Sequence, residues 1–168
     1  KKGVLEIRTK SIQIQKILKH KPIDNCIIAF SFTPENVSKL IEHKVPPVKK
    51  RIDTMKKLAE NGWKIGLRFD PIIPACNFAK IYENLFKNIA SNVPEENIHS
   101  ISFGMMRFPK KMFKRMNKEN SNKRIFSLPF ENRKGIYSYN KKLENKLENI
   151  IINKLRKYMK NTPIYNCK

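Results

Sequence analysis

Apolar positions along this chain switch between a period of two and a period near 3.6, the pattern of strands alternating with helices. Residues 4–8, VLEIR, predict a first strand, and Ser11 is placed to cap a helix with Ile14, Ile17 and Leu18 on one face. CIIAFS at 26–31 is a continuous apolar run of the kind buried on both faces of a parallel sheet. TPEN at 33–36 reads as a helix start, with Thr33 as cap and Val37, Leu40 and Ile41 facing inward. A second helix follows VPP at 45–47, with Val48, Ile52, Met55 and Ala59 on its apolar face. Lys49, Lys50, Arg51, Lys56 and Lys57 are assigned to its other faces, and Asn61-Gly62 supplies a left-handed stop. WKIGLRFDPIIP at 63–74 is the third strand, residues 77–92 a helix with Phe78, Ile81, Leu85 and Ile89, and IHSISFGM at 98–105 the fourth strand.

Helices between successive strands require parallel pairing through right-handed crossovers, either in a doubly wound sheet or in part of a (β/α) barrel. With five glycines and no Gly-x-Gly-x-x-Gly or Walker loop, the dinucleotide and P-loop classes are excluded. The repeat covers residues 1–106. Residues 107–168 hold a basic segment, the stretch FSLPFENRKGIYSYN, an amphipathic helix over 140–160 and TPIYNC as a short final strand or tail, all expected to pack on the same domain. No apolar run approaches the roughly 18 residues that a membrane helix needs, and no signal pattern opens the chain, so a cytoplasmic protein is expected.

The net charge of +22 suggests nucleic acid, but Lys, Ile and Asn together make up 68 of the 168 residues. All three have A/T-rich codons, so a biased genome alone can produce a Lys-rich surface. Placement says more: between Arg107 and Arg124 eight cations and one Glu are interleaved with Phe108, Met112, Phe113 and Met116. Cys26, Cys76 and Cys167 form no C-x-x-C pair, and His20, His43 and His99 show no metal-ligand spacing.

Strand parity puts Glu6, Arg8 and Lys10 on one face of the first strand, and Lys64, Gly66, Arg68 and Asp70 on one face of the third. Lys10, Ser31, Asp70 and Arg107 all fall at strand C-termini, the rim where α/β sheets and barrels carry their sites. A carboxylate-bearing or otherwise anionic ligand suits Lys10 and Arg68. The same residues admit a structural reading, in which Arg8 and Asp70 form an interior ion pair and Ser31 only turns the chain.

LEIRTKS, CIIAFSFTPENV, GWKIGLRFDPII, ISFGMMRF and PIYNC resemble, in that order, the C-terminal half of the spore photoproduct lyase family, radical S-adenosylmethionine enzymes. The resemblance implies a partial (β/α)6 barrel, of which this chain supplies about the last four strands. It implies S-adenosylmethionine and a [4Fe–4S] cluster as cofactors, an electron donor for the cluster, and DNA carrying a pyrimidine lesion as partner. In that family a 5′-deoxyadenosyl radical abstracts hydrogen from a thymine dimer lesion, which reverts to two thymines. Lys10 matches the lysine that binds the cofactor's carboxylate, and Ser31 a serine on the cofactor side. Asp70, Arg107 and Tyr139 fall in matching blocks and are assigned to the substrate side, with 107–124 and KGIYSY toward DNA.

The family's C-x-x-x-C-x-x-C loop is absent here, and no cysteine of this chain substitutes for it. The expectation is therefore a fragment with no catalytic residue of its own, inactive alone, whose cluster is ligated by an N-terminal segment missing here. Two alternatives remain: a non-catalytic basic nucleic-acid-binding module derived from this fold, and an unrelated barrel enzyme binding an anionic metabolite.

Overall fold

The computed structural model describes residues 3–119 and 127–167. Five parallel strands form the main sheet: β1 (Leu5–Thr9), β2 (Cys26–Ser31), β3 (Lys64–Ile72), β4 (Ile98–Met105) and β8 (Ile164–Cys167). They lie side by side in the order β1-β2-β3-β4-β8, each new strand added at the same edge. A doubly wound sheet reverses direction at a switch point, and this one never does. The order is that of a barrel wall. The resemblance implied about four strands; TPIYNC adds the fifth, running parallel to β4 with Ile101 opposite Ile164 and Gly104 opposite Cys167.

Three helices cover one face of the sheet: α2 (Val48–Glu60), α3 (Phe78–Ala90) and α5 (Lys141–Tyr158). Ile52, Met55, Phe86, Ile151 and Leu155 from these helices pack on Ile28, Leu67, Phe69, Ile101 and Phe103 of the strands, all of them 1% exposed or less. The expected apolar positions of α2 are buried, and α3 adds Tyr82 and Phe86, which complete its inward stripe. Glu83 fastens α3 to α5 by accepting from Lys154 and Lys157, both at 2.6 Å.

Several local expectations change. The β1–β2 connection holds only a 3-10 turn at Ile17–Lys19 rather than a helix. Thr9 Oγ1 accepts from the amide of Ser11, and Ser11 Oγ from that of Gln13, so side chains take the amides that helix entry would use. Thr33 does not cap α1 (Glu35–Ile41); Pro34 occupies that place, and the Thr33 hydroxyl donates to Glu42 instead. Only Val37 of the three apolar residues assigned to α1 is buried, while Leu40 is 78% exposed. Arg51, assigned to the outer faces of α2, is completely buried.

Residues 107–139 supply a second, antiparallel sheet that periodicity did not reveal. β5 (Arg107–Pro109), β6 (Phe130–Arg133) and β7 (Ile136–Tyr139) pair in the order β5-β7-β6. Lys134-Gly135 turns the β6–β7 hairpin, with φ of 50° and 87°; glycine takes the second value at no steric cost. α4 (Lys110–Glu119) packs Phe113 against this sheet, its ring parallel to that of Tyr137 at 4.1 Å. The stretch 120–126, including Lys123 and Arg124 of the basic segment, lies outside the described residues.

Candidate functional site

The face of the sheet away from the helices is small and polar: Glu6, Ala29, Gly66, Arg68, Ser100, Ser102 and Gly104 lie along it. Its floor is closed by an ion pair across two strands. Arg68 Nη2 lies 2.6 Å from Glu6 Oε2 and Nε 3.1 Å from Glu6 Oε1, while Nη1 donates to the carbonyls of Leu67 and Ser100. The side chain of Arg68 is 5% exposed. Hydrogen bonds from Arg68 lower the pKa of Glu6 against the opposing effect of burial. Two readings of the sequence are corrected here. Arg68 is committed to Glu6 and is not offered to a ligand, and Arg8 pairs with Glu6 at 3.1 Å rather than with Asp70.

At the C-terminal ends of β1 and β2 the structure gathers a second charged cluster. Lys10 follows β1, and its ammonium forms a hydrogen-bonded ion pair with Glu42 Oε1. The carboxylate of Glu42 also accepts from Thr33 Oγ1 (3.0 Å), Ser38 Oγ (2.6 Å) and Arg51 Nη2 (2.8 Å). Burial raises the pKa of Glu42, but the bonds from Lys10 and Ser38 and the two cationic charges outweigh it and bring the group down to about 2. Arg51 Nη1 donates to the carbonyl of Ser31 at 2.9 Å, so one buried guanidinium fixes both the end of β2 and the carboxylate beside Lys10. The sequence reading named Lys10 and Ser31 as rim candidates; the structure brings Glu42 and Arg51, which it did not name there, to the same corner. A signal for Arg51 was present: Val48, Arg51, Ile52 and Met55 follow the i, i+3, i+4, i+7 spacing of one face.

Charge counting shows what this corner can take. Two cations share one carboxylate, leaving one positive charge in surplus. The side chain of Arg51 is 0% exposed and that of Glu42 8%, while Lys10 is 36% exposed. The surplus is therefore presented by Lys10, as the complement of a single negative group.

The rim residues farther along the sheet belong to a separate depression. Arg107 Nη2 stands 3.7 Å from Asp70 Oδ2. A cavity of about 260 Å³ opens beside them, lined among others by Met105, Arg107, Arg133, Ser138, Lys141 and Cys167. Arg133 Nη2 donates to the carbonyl of Tyr139 at 2.7 Å and pairs with Glu144, which also accepts from Ser138, tying the hairpin to α5. Tyr139 itself does not face this cavity. It is 0% exposed, burial pushes its hydroxyl pKa up, and that hydroxyl donates to the carbonyl of Ile72. Tyr139 thus packs in the core beneath the rim, with its hydroxyl turned to Ile72.

A sequential parallel sheet, helices on its outer face and charged residues at its C-terminal rim define part of a (β/α) barrel. The family model for spore photoproduct lyase matches residues 1–166, and the chain belongs to that family. It is similar to the spore photoproduct lyase of Bacillus subtilis (strain 168), 27% identical over 172 residues that cover 96% of this chain and 50% of the relative. Its fold matches a solved spore photoproduct lyase complexed with dinucleoside spore photoproduct at a TM-score of 0.82 and 19% identity, covering 98% of this chain and 52% of the other. A doubly substituted spore photoproduct lyase with bound AdoMet and dinucleoside spore photoproduct superposes at 0.80, also with 19% identity and 98% and 52% coverage. The chain spans about half the length of these relatives.

Proposed function

We propose that this chain forms the cofactor-carboxylate corner and the DNA-facing side of a radical S-adenosylmethionine lyase that reverses spore photoproduct-type thymine lesions in DNA. The observation that carries this reading is the single surplus positive charge at the rim, offered by Lys10 beside the end of β2. An amino-acid carboxylate fits it, since an ammonium with donors to spare binds one negative group through charge-assisted hydrogen bonds. Lys10 would bind and orient the carboxylate, and Ser31 would flank it. When bound, S-adenosylmethionine supplies the 5′-deoxyadenosyl group that takes hydrogen from the lesion.

The [4Fe–4S] cluster does not fit these residues. Among the described residues no group of three or more His, Cys, Asp or Glu side chains could hold a metal, and Cys26 is buried while Cys76 is exposed. No step is therefore assigned through a cluster on this chain.

On the substrate side, Arg107, which pairs with Asp70, lines the 260 Å³ cavity, into which a lesion base would reach. DNA would be met by α4, where Lys111, Lys114, Arg115 and Lys118 share one exposed stripe opposite Phe113 and Met116. Among the described residues none of these four cations forms a salt bridge with an acidic side chain, which leaves them for phosphate. No helix among the described residues is long and apolar enough to cross a membrane.

The test is Lys10→Ala with S-adenosylmethionine binding measured by equilibrium dialysis. Loss of a charge-assisted bond is worth roughly 1.5–3 kcal/mol, so affinity should fall by about 10- to 100-fold. Unchanged affinity refutes the assignment of Lys10.

A further inference from the structure

Glu42 stands where α1 ends, and its two oxygens have different partners. Oε2 takes Arg51 and Ser38, from inside the protein. Oε1 takes Thr33 and Lys10, toward the rim. A lysine carries its charge on a flexible four-carbon stem and has no preferred direction of its own. Here that direction is imposed by a carboxylate that is itself immobilised by three other donors, one of them the fully buried Arg51. One of the three ammonium protons is used by Glu42, and two are left for a ligand.

We propose that Glu42 is a positioning residue: it holds the Lys10 ammonium at the rim beside Ser31 and thereby makes the corner select ligands by their carboxylate. This rests on the reading of Lys10 as a carboxylate anchor. It adds that the selectivity resides in the Glu42–Arg51 pair beneath the lysine and not in the lysine's charge alone. Charge by itself argues the opposite way. Removing the Glu42 charge would raise the surplus from one to two and strengthen attraction for any anion. Positioning and bulk electrostatics therefore predict opposite signs for the same substitution.

The experiment compares two probes, S-adenosylmethionine and its decarboxylated analogue, by equilibrium binding to the protein expressed from its natural gene and purified without oxygen. The readout is the ratio of their dissociation constants. The unsubstituted protein should prefer the carboxylate-bearing probe at least tenfold, and Lys10→Ala should abolish that preference. Glu42→Asp keeps a counter-charge for Arg51 but withdraws the carboxylate by one methylene, so it cannot span Arg51 and Lys10 together. In Glu42→Asp the preference should fall to threefold or less, with affinity for the decarboxylated probe within a factor of two of the starting value. Glu42→Gln should lower the preference as well. A preference that stays the same or rises in these variants overturns the proposal, and so does an equal loss for both probes, which marks a structural role only. Should a Glu42 variant fail to fold, Thr33→Val removes a bond to the same oxygen without altering charge, and a two- to threefold drop in preference is expected; no drop overturns the proposal. If Lys10→Ala leaves the preference intact, the anchor reading itself falls, a result separate from the failure of Glu42 alone.

Discussion

Replacing Gly66 by Ala would place a methyl carbon 2.9 Å from Arg68 Nη2, 3.1 Å from its Cζ and 3.0 Å from the Ala29 Cβ. The guanidinium cannot simply swing aside. It is held by Glu6 at 2.6 and 3.1 Å, by the Ser100 carbonyl and hydroxyl, each at 3.0 Å, and by the Leu67 carbonyl at 2.9 Å. Forcing a methyl group into packed surroundings costs about 1–3 kcal/mol. Complete loss of a buried ion pair costs about 3–5 kcal/mol, less here because the Glu6 side chain remains 33% exposed and partly screened. A gain of about 0.5–1 kcal/mol comes from replacing glycine in a strand. The net expectation is a destabilisation of about 1–2 kcal/mol, read as a lower urea midpoint at unchanged slope. The same substitution in an Arg68→Met background, where the guanidinium is gone, should cost at most about 0.5 kcal/mol, leaving a coupling near 1 kcal/mol. An equal cost in both backgrounds would show that the glycine is required by Ala29 or by the backbone, and the account of the barrel floor would be wrong.

The carboxylate of Glu42 is brought from 4.5 down to about 2, so its stabilising effect is full above pH 4.5 and is lost as pH falls toward 2. Urea midpoints should decline over that window, and Glu42→Gln should flatten the decline. Asn140 Oδ1 accepts from the Leu143 amide at 2.9 Å, capping α5, so Asn140→Ala should cost about 1 kcal/mol in the same assay while Asn140→Asp costs little. Reversing Lys111, Lys114 and Lys118 to Glu should reduce the steepness of log K against log salt for DNA binding by about 2 to 3; an unaltered slope would make the stripe a solvated face.

Most of the parallel sheet was legible because its strands are long, apolar and separated by Pro, Gly and capping residues, signals that act within a few positions of one another. The helix expected after Ser11 was not, because two short side-chain turns at Thr9 and Ser11 compete locally with helix entry. The β5-β7-β6 sheet escaped notice because its strands have only three or four residues, too few to establish a period, and its order depends on β5 meeting a hairpin more than twenty positions away.

At the rim, strand parity and strand ends named Lys10, Ser31, Asp70 and Arg107 as candidates, and the structure places Lys10 and Ser31 in one charged corner and Asp70 and Arg107 in another. Tyr139 shows the limit: its block fits the family, yet only packing determines that its hydroxyl turns inward to Ile72. By itself the sequence determined which residues lie on the first four strands of the parallel sheet, which faces they share and the family to which the chain belongs. Tertiary structure decided which charges neutralise one another. Glu6 meets Arg68 across 62 positions, and Lys10 meets Glu42 across 32. A charge's partner depends on distance in space and on loss of water, and neither is encoded in the local order of residues.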